Sequence, residues 1–398
     1  MTSTPLNGRM GRPHSYPVPG TLRIPTRSLA RRDPPSPPFS DLARARDFRP
    51  RPFRPAWWIP GPHAHTLAGK LLRPRVDPGV HRVRLDTPDG DFLLLDVGPE
   101  PTRPEGSSDG AATPEAPVGI VLHGLEGSSE RSYVRWTMEA LRRRGVRPVA
   151  MNFRSCGGEM NRRPRSYHSG ETGDLAWVVE ELARRFPNRP MGILGFSLGG
   201  NILLKYLGEH GDSVPRILRG AAAISTPFDL MAGTQALESG PMGRLYTYYF
   251  IRQLRQKVRL KAHLLEPLVE VEEVLRARTL REYDDRHTAP IHGFRDAQDY
   301  YERSSSRPWL TEIRLPTLLL QAQDDPFLPD GLPTAEVEAN PHLIPGFTKG
   351  GGHVGFVEGA HPAAPSFWAD EEAARFLAHV LEANPAEPLN PGSRRTLP

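Results

Sequence analysis

A chain of 398 residues with 38% apolar and 24% charged side chains can bury one sizeable core plus an inserted subdomain, which excludes a wholly disordered protein. No stretch approaches the roughly 18 apolar residues of a membrane span, and a single cysteine, Cys156, excludes a disulfide framework and a multi-cysteine zinc site. The formal charge of +5 is localised: residues 1–55 hold 11 Arg and no Lys against 3 Asp, so the remainder carries a net −3 and specific nucleic-acid binding is not expected of it.

The segment 1–55 also contains 12 of the 44 prolines, so it is expected to stay extended or disordered, free to touch anionic surfaces such as a membrane face. The lone cysteine and the lack of an apolar h-region point to the cytoplasm. Two short alternating runs, 80–86 and 91–97, flank Thr87-Pro88-Asp89-Gly90, which predicts a β-hairpin at the antiparallel start of a mixed sheet. Residues 100–117, rich in Pro, Gly, Ser, Thr and Glu, read as a surface loop. From 118 onward, apolar runs at 118–122, 148–151, 191–194, 221–224, 317–320 and 342–344 alternate with helical patterns at 132–144, 171–186, 199–208 and 370–383. That rhythm predicts an α/β fold with a mostly parallel sheet and helices on both faces. Between about 226 and 310 it stops, and patterns such as 244–263 and 268–282 predict an inserted helical cap. The expected organisation is a domain over 56–385 with disordered tails at 1–55 and 386–398.

Gly195-Phe196-Ser197-Leu198-Gly199 stands between an apolar strand and a helix, where a nucleophile elbow belongs. A serine needs a base to take its proton and a carboxylate to orient that base. His353, in the glycine-rich loop 350–355, is the expected base, with His361 as a rival disfavoured by Pro362. Asp325, after the strand 317–320, is the expected acid, leaving Asp324 to shape the turn. The oxyanion donors are expected to be the backbone N–H groups of Leu198 and of Leu125, in the loop His123-Gly124-Leu125-Glu126-Gly127, with His123 fixing that loop. His63 and His65 alternate as they would on one face of a strand, but they lack acidic or cysteine partners, so no metal and no cofactor is expected. Cys156 reads as a packed thiol. Tyr246, Tyr248, Tyr249 and Phe250 read as helix packing, with acyl-chain contact as the alternative.

Over residues 55–385 the chain resembles the YheT-like branch of the α/β-hydrolase superfamily, whose relatives include plant embryogenesis-associated proteins and animal abhydrolase-domain lipases. The strings carrying the resemblance are H-A-H-T-L at 63–67, T-P-D-G-D-F at 87–92, H-G-L-E-G-S-S at 123–129 and N-F-R-S-C-G-G-E-M-N at 152–161. They continue with Y-H-S-G-E-T at 167–172, G-F-S-L-G-G-N at 195–201, H-G-F at 292–294, D-D-P-F at 324–327 and G-G-H-V-G-F at 351–356. The resemblance implies hydrolysis of carboxylic esters, lipid esters among them, with the triad carried by Ser197, Asp325 and His353. Two positions depart from the branch: His65 replaces a usual Gln, and Ser155 a usual Gly. An acyltransferase using the same triad, or a non-catalytic binding protein on the same fold, is left open by the sequence.

Overall fold

Leu42, Ala45 and Phe48 recur every third residue, a spacing that places them on one side of a helix, and the computed structural model has that helix, α1 (Phe39–Asp47). The structure describes residues 39–101, 115–329 and 331–383. Ala45 and Phe48 are buried, and Phe48 meets Phe376 edge-on with ring centroids 5.1 Å apart. The prolines at 50, 52 and 55 then keep the chain extended while Phe53 packs against Phe356 and Trp368, and Arg51 pairs with buried Glu372. Residues 39–55 are therefore part of the folded body, which corrects the expected boundary of a disordered tail at 55. Composition dominated by arginine and proline hid the apolar spacing. The rest of the two tail expectations and most of the 100–117 loop fall on residues outside those described.

The helix α2 (Gly61–Leu71) starts with Pro62 in its first turn, where a missing N–H breaks no intrahelical bond. His63 and His65 are thus two helical positions apart, about 200° around the axis, and cannot share a strand face. His65 is buried beside Phe53, whereas His63 faces Tyr246.

The predicted hairpin is present as β1 (His81–Asp86) and β2 (Phe92–Val97), antiparallel with His81 opposite Val97. The βα units follow as β3 (Val118–Leu122), α3 (Ser132–Arg143), β4 (Arg147–Asn152), α4 (Gly173–Arg185), β5 (Met191–Phe196), α5 (Leu198–His210) and β6 (Leu218–Ile224). The helices inserted next are α6 (Leu230–Glu238), α7 (Gly240–Leu260), α8 (Ala262–Leu265), α9 (Val271–Arg276), α10 (Leu280–Tyr283), α11 (Ala289–His292) and α12 (Ala297–Ser304). The pattern expected as one helix over 268–282 is broken in two because Thr279 caps α10, accepting the Glu282 N–H. The sheet resumes with β7 (Thr317–Ala322), α13 (Thr334–Ala339) and β8 (Leu343–Thr348), followed by a two-residue ribbon of β9 (Val357–Glu358) with β10 (Ser366–Phe367), and α14 (Trp368–Val380).

The eight main strands lie in the order β1-β2-β4-β3-β5-β6-β7-β8, parallel from β4 onward. Alternate residues face opposite layers: Val121, Ala150 and Leu194 pack with α3 and α14, while Ile120, Val149 and Ile193 pack with α4 and α5. Because β3 neighbours both β4 and β5, the winding direction reverses there. The loops leaving the carboxyl ends of β3 and β5 are brought side by side, the position at which open α/β sheets gather functional groups.

Arg154, just after β4, ties the hairpin turn to this layer. Its guanidinium is 2% exposed and bonds Asp174 at 2.7 Å, Asp89 at 2.9 Å and Asp91 at 2.8 Å. Removing it strands carboxylates that are largely out of water, a change that typically costs about 3–5 kcal/mol. Arg154→Met is expected to lower the unfolding free energy by that amount in urea titration; an unchanged midpoint would refute this role.

Candidate active site

The chain turns from β5 into α5 within one residue, and Ser197 carries the turn with φ 51° and ψ −120°. Such a backbone is unfavourable for a residue with a Cβ and persists only where its surroundings over-determine it. The surroundings here are glycines: a Cβ on Gly195 would lie 2.5 Å from the Gly199 carbonyl oxygen, and one on Gly199 would lie 2.6 Å from that of His123. Only the bare backbone lets the elbow close against the β3 loop.

His353 comes from the loop after β8. Its backbone N–H donates to Thr66 Oγ1 at 2.9 Å, and the neighbouring Val354 N–H donates to Ser225 Oγ at 2.8 Å. Asp324 Oδ1 accepts the Gly352 N–H at 2.9 Å, so the first of the two adjacent aspartates holds the loop's backbone. The second, Asp325, is buried and meets the imidazole: its oxygens lie 3.0 and 3.1 Å from His353 Nδ1. The Phe327 N–H and Gln321 Nε2 donate to the same carboxylate at 2.9 and 2.8 Å, which fixes its plane. With Nδ1–H pointing at Asp325, Nε2 is left as the acceptor, and Ser197 Oγ lies 2.9 Å from it. The Phe327 ring lies against the imidazole at a centroid distance of 4.1 Å. His361, by contrast, is exposed and accepts the Ala363 N–H.

Beside the serine, the Leu198 N–H occupies the first position of α5, where no intrahelical acceptor exists, and Leu125 lines the same cavity from the β3 loop. His123 anchors that loop, donating from Nδ1 to the Gly124 carbonyl at 2.7 Å and accepting the Phe153 N–H on Nε2 at 3.2 Å. Tyr133 Oη accepts the Gly124 N–H at 2.9 Å.

Glu126, Tyr167 and Lys257, to which the sequence assigned no role, complete the loop's setting. Glu126 has φ 52°, its N–H donates to Tyr167 Oη at 2.9 Å, and its carboxylate accepts Tyr167 O–H at 2.7 Å and Lys257 Nζ at 2.8 Å. Lys257 belongs to α7, so an inserted helix is ion-paired to the loop that carries Leu125. Only the E in H-G-L-E-G pointed this way, since its lysine partner lies over 100 positions along the chain. Cys156 is buried with Lys257 Nζ 3.0 Å from its sulfur, and burial pushes the thiol up to about 11, so it stays protonated at neutral pH. Ser155 takes φ 64°, in the left-handed region that a glycine adopts without strain.

A cavity opens over Ser197 and Leu198 and is walled by the inserted helices, which line it with apolar Leu237, Phe250, Leu254 and Val258 and with polar Lys261, Asp284 and His287. Of the aromatic group in α7, Phe250 faces this cavity, Tyr246 is buried against Phe327, and Tyr248 and Tyr249 face water.

Burial pushes His123, His168 and His287 each down to about 3, so all three stay neutral in the fold. In the unfolded chain they bind protons near pH 6.5. From pH 6.5 towards 3 the unfolded state therefore holds more protons, and stability falls as pH falls, by about 1.4 kcal/mol per pH unit for each imidazole. Asp284, pushed up to about 7 by burial, acts in the opposite direction and offsets one of them. Denaturant midpoints are expected to be lower at pH 5.5 than at pH 7.5; equal midpoints would mean these rings take up protons without unfolding.

An eight-stranded sheet of this order, with a serine elbow after β5 and a histidine loop after β8, is the architecture of the α/β hydrolases. Residues 120–360 match the family profile described as alpha/beta hydrolase fold, and the chain belongs to that family. Within it the chain falls in the YheT-like branch. It is 36% identical over 323 residues to the Escherichia coli (strain K12) protein described as "Putative esterase YheT", covering 81% of this chain and 91% of that one. It is 34% identical to the Saccharomyces cerevisiae monoacylglycerol lipase over 70% of this chain and 61% of the yeast protein. With human phospholipase ABHD3 the identity is 32%, over 67% of this chain and 64% of that protein. Among solved structures, the Pyrococcus furiosus esterase Pf2001 aligns with a TM-score of 0.47 at 15% identity, covering 84% of this chain and 98% of that one. No described helix is long and apolar enough to cross a membrane.

Proposed function

We propose that the protein is a serine hydrolase of carboxylic esters, lipid esters included, that works through an acyl-enzyme without a cofactor. The observation that carries this is the single imidazole of His353, hydrogen-bonded on one side to Asp325 and on the other to Ser197. Ser197 Oγ attacks the ester carbonyl carbon as its proton passes to His353 Nε2. The Leu198 and Leu125 N–H groups receive the negative charge that develops on the carbonyl oxygen. Losing one such donor typically lowers turnover by about 10²–10³. His353 returns the proton to the departing alcohol oxygen, which breaks the ester bond, and a water activated by the same imidazole then releases the acid. Asp325 keeps Nδ1 protonated and stabilises the imidazolium formed in each half-reaction. The lone cysteine suits a reducing compartment, and we place the reaction in the cytoplasm.

The apolar wall of the cavity favours an acyl chain over a charged group. Each methylene it takes from water is worth about 0.8 kcal/mol, or roughly fourfold in kcat/KM. Across p-nitrophenyl esters, kcat/KM is expected to climb by up to that factor per carbon beyond acetate until the cavity is full. A fluorophosphonate probe is expected to label Ser197, located by peptide mass spectrometry. Labelling elsewhere, or none with folded protein, would refute the assignment.

A further inference from the structure

The helix α7 divides water from the cavity. Phe250, Leu254, Lys257 and Val258 form its inner side, while Leu245, Tyr248, Tyr249, Arg252, Arg259 and Leu260 repeat at the three-to-four-residue spacing of its outer side. An outer side facing water is expected to be polar. Here Leu245 is 52% exposed, Tyr248 65% and Leu260 56%, and on the adjoining α2 Leu71 is 76% exposed. The two helices are joined by Lys70, whose ammonium sits 4.0 Å above the Tyr249 ring, and by His63 with Tyr246.

Charge narrows what can cover this face. Neither α2 nor α7 contains an aspartate or glutamate. Arg252 and Arg259 are exposed, and among the described residues neither has a carboxylate partner. On α3, by contrast, Arg142 is paired with Glu139 and Arg143 with Glu371. Exposed leucines and tyrosines interleaved with unpaired cations, along one side of a helix rather than in a groove, match the headgroup boundary of a bilayer. Apolar chains enter the acyl region there, tyrosines sit at its edge and cations meet anionic lipid.

We propose that the outer face of α2 and α7 docks on an anionic membrane surface, laying the cavity roof against the lipid. The proposal concerns binding and stands without the ester chemistry. The test is co-sedimentation of the full chain with phosphatidylcholine vesicles, with and without phosphatidylglycerol, at low and high salt. The wild type is expected to bind only the vesicles containing phosphatidylglycerol, and less as salt rises. Arg252→Glu with Arg259→Glu is expected to weaken binding at least about thirtyfold, since each cation near such a surface contributes about a factor of five. Leu245→Ser with Tyr248→Ser is expected to weaken it at least about tenfold, with an unchanged melting temperature for both variants. No binding by the wild type overturns the proposal. So does full binding by both variants, which would assign any attraction to the arginines of residues 1–38.

Discussion

Ser197→Ala is expected to reduce turnover of a p-nitrophenyl ester by on the order of 10⁶, the loss typical when a triad nucleophile is removed. Packing gives no reason for a smaller effect. The variant deletes one oxygen whose hydrogen-bond partner is His353 Nε2, and the glycines that permit the elbow are untouched. Stability is expected to hold or rise, because a strained serine gives up a polar atom and keeps its Cβ. Steady-state rates on wild type and variant, with urea unfolding alongside, check both statements. Turnover within tenfold of wild type would move the chemistry to another residue.

Asp325→Asn is expected to lower kcat by about 10⁴, while Asp324→Asn costs less than about tenfold. An amide at 325 can still accept the Phe327 N–H, but its NH₂ would face His353 Nδ1 and force the proton to Nε2. The imidazole would then present a donor to Ser197 and could no longer take its proton. Asp324 holds the Gly352 N–H, a role an amide oxygen can also fill. The same two variants compared for kcat separate the neighbouring carboxylates, and equal losses would mean that the loop, not the acid, is what matters.

The sheet was legible because buried parallel strands are short apolar runs and the segments between them repeat at helical spacing. The serine, aspartate and histidine were legible for a related reason: each follows a strand, and chain order with glycine content singled them out. What escaped was whatever depends on distant partners. Glu126 and Lys257 carry no local pattern, and the cavity exists only once α7 lies across the sheet. The helix α1 was missed because Ala45 and Phe48 stand among arginines, and His63 and His65 were read at a period of two where Pro62 starts a helix.

The ion pair between Glu126 and Lys257 limits how a guest molecule can reach the chamber. The carboxylate is 3% exposed, so swinging α7 outward would break a buried pair and leave Glu126 with the Tyr167 hydroxyl as its remaining side-chain partner. It would also free the backbone stretch bearing Leu125, the second oxyanion donor of the proposed mechanism, as the ester arrives. Traffic that passes around this fastening, leaving it closed, keeps the reaction centre assembled throughout, so admission and readiness are not traded against each other.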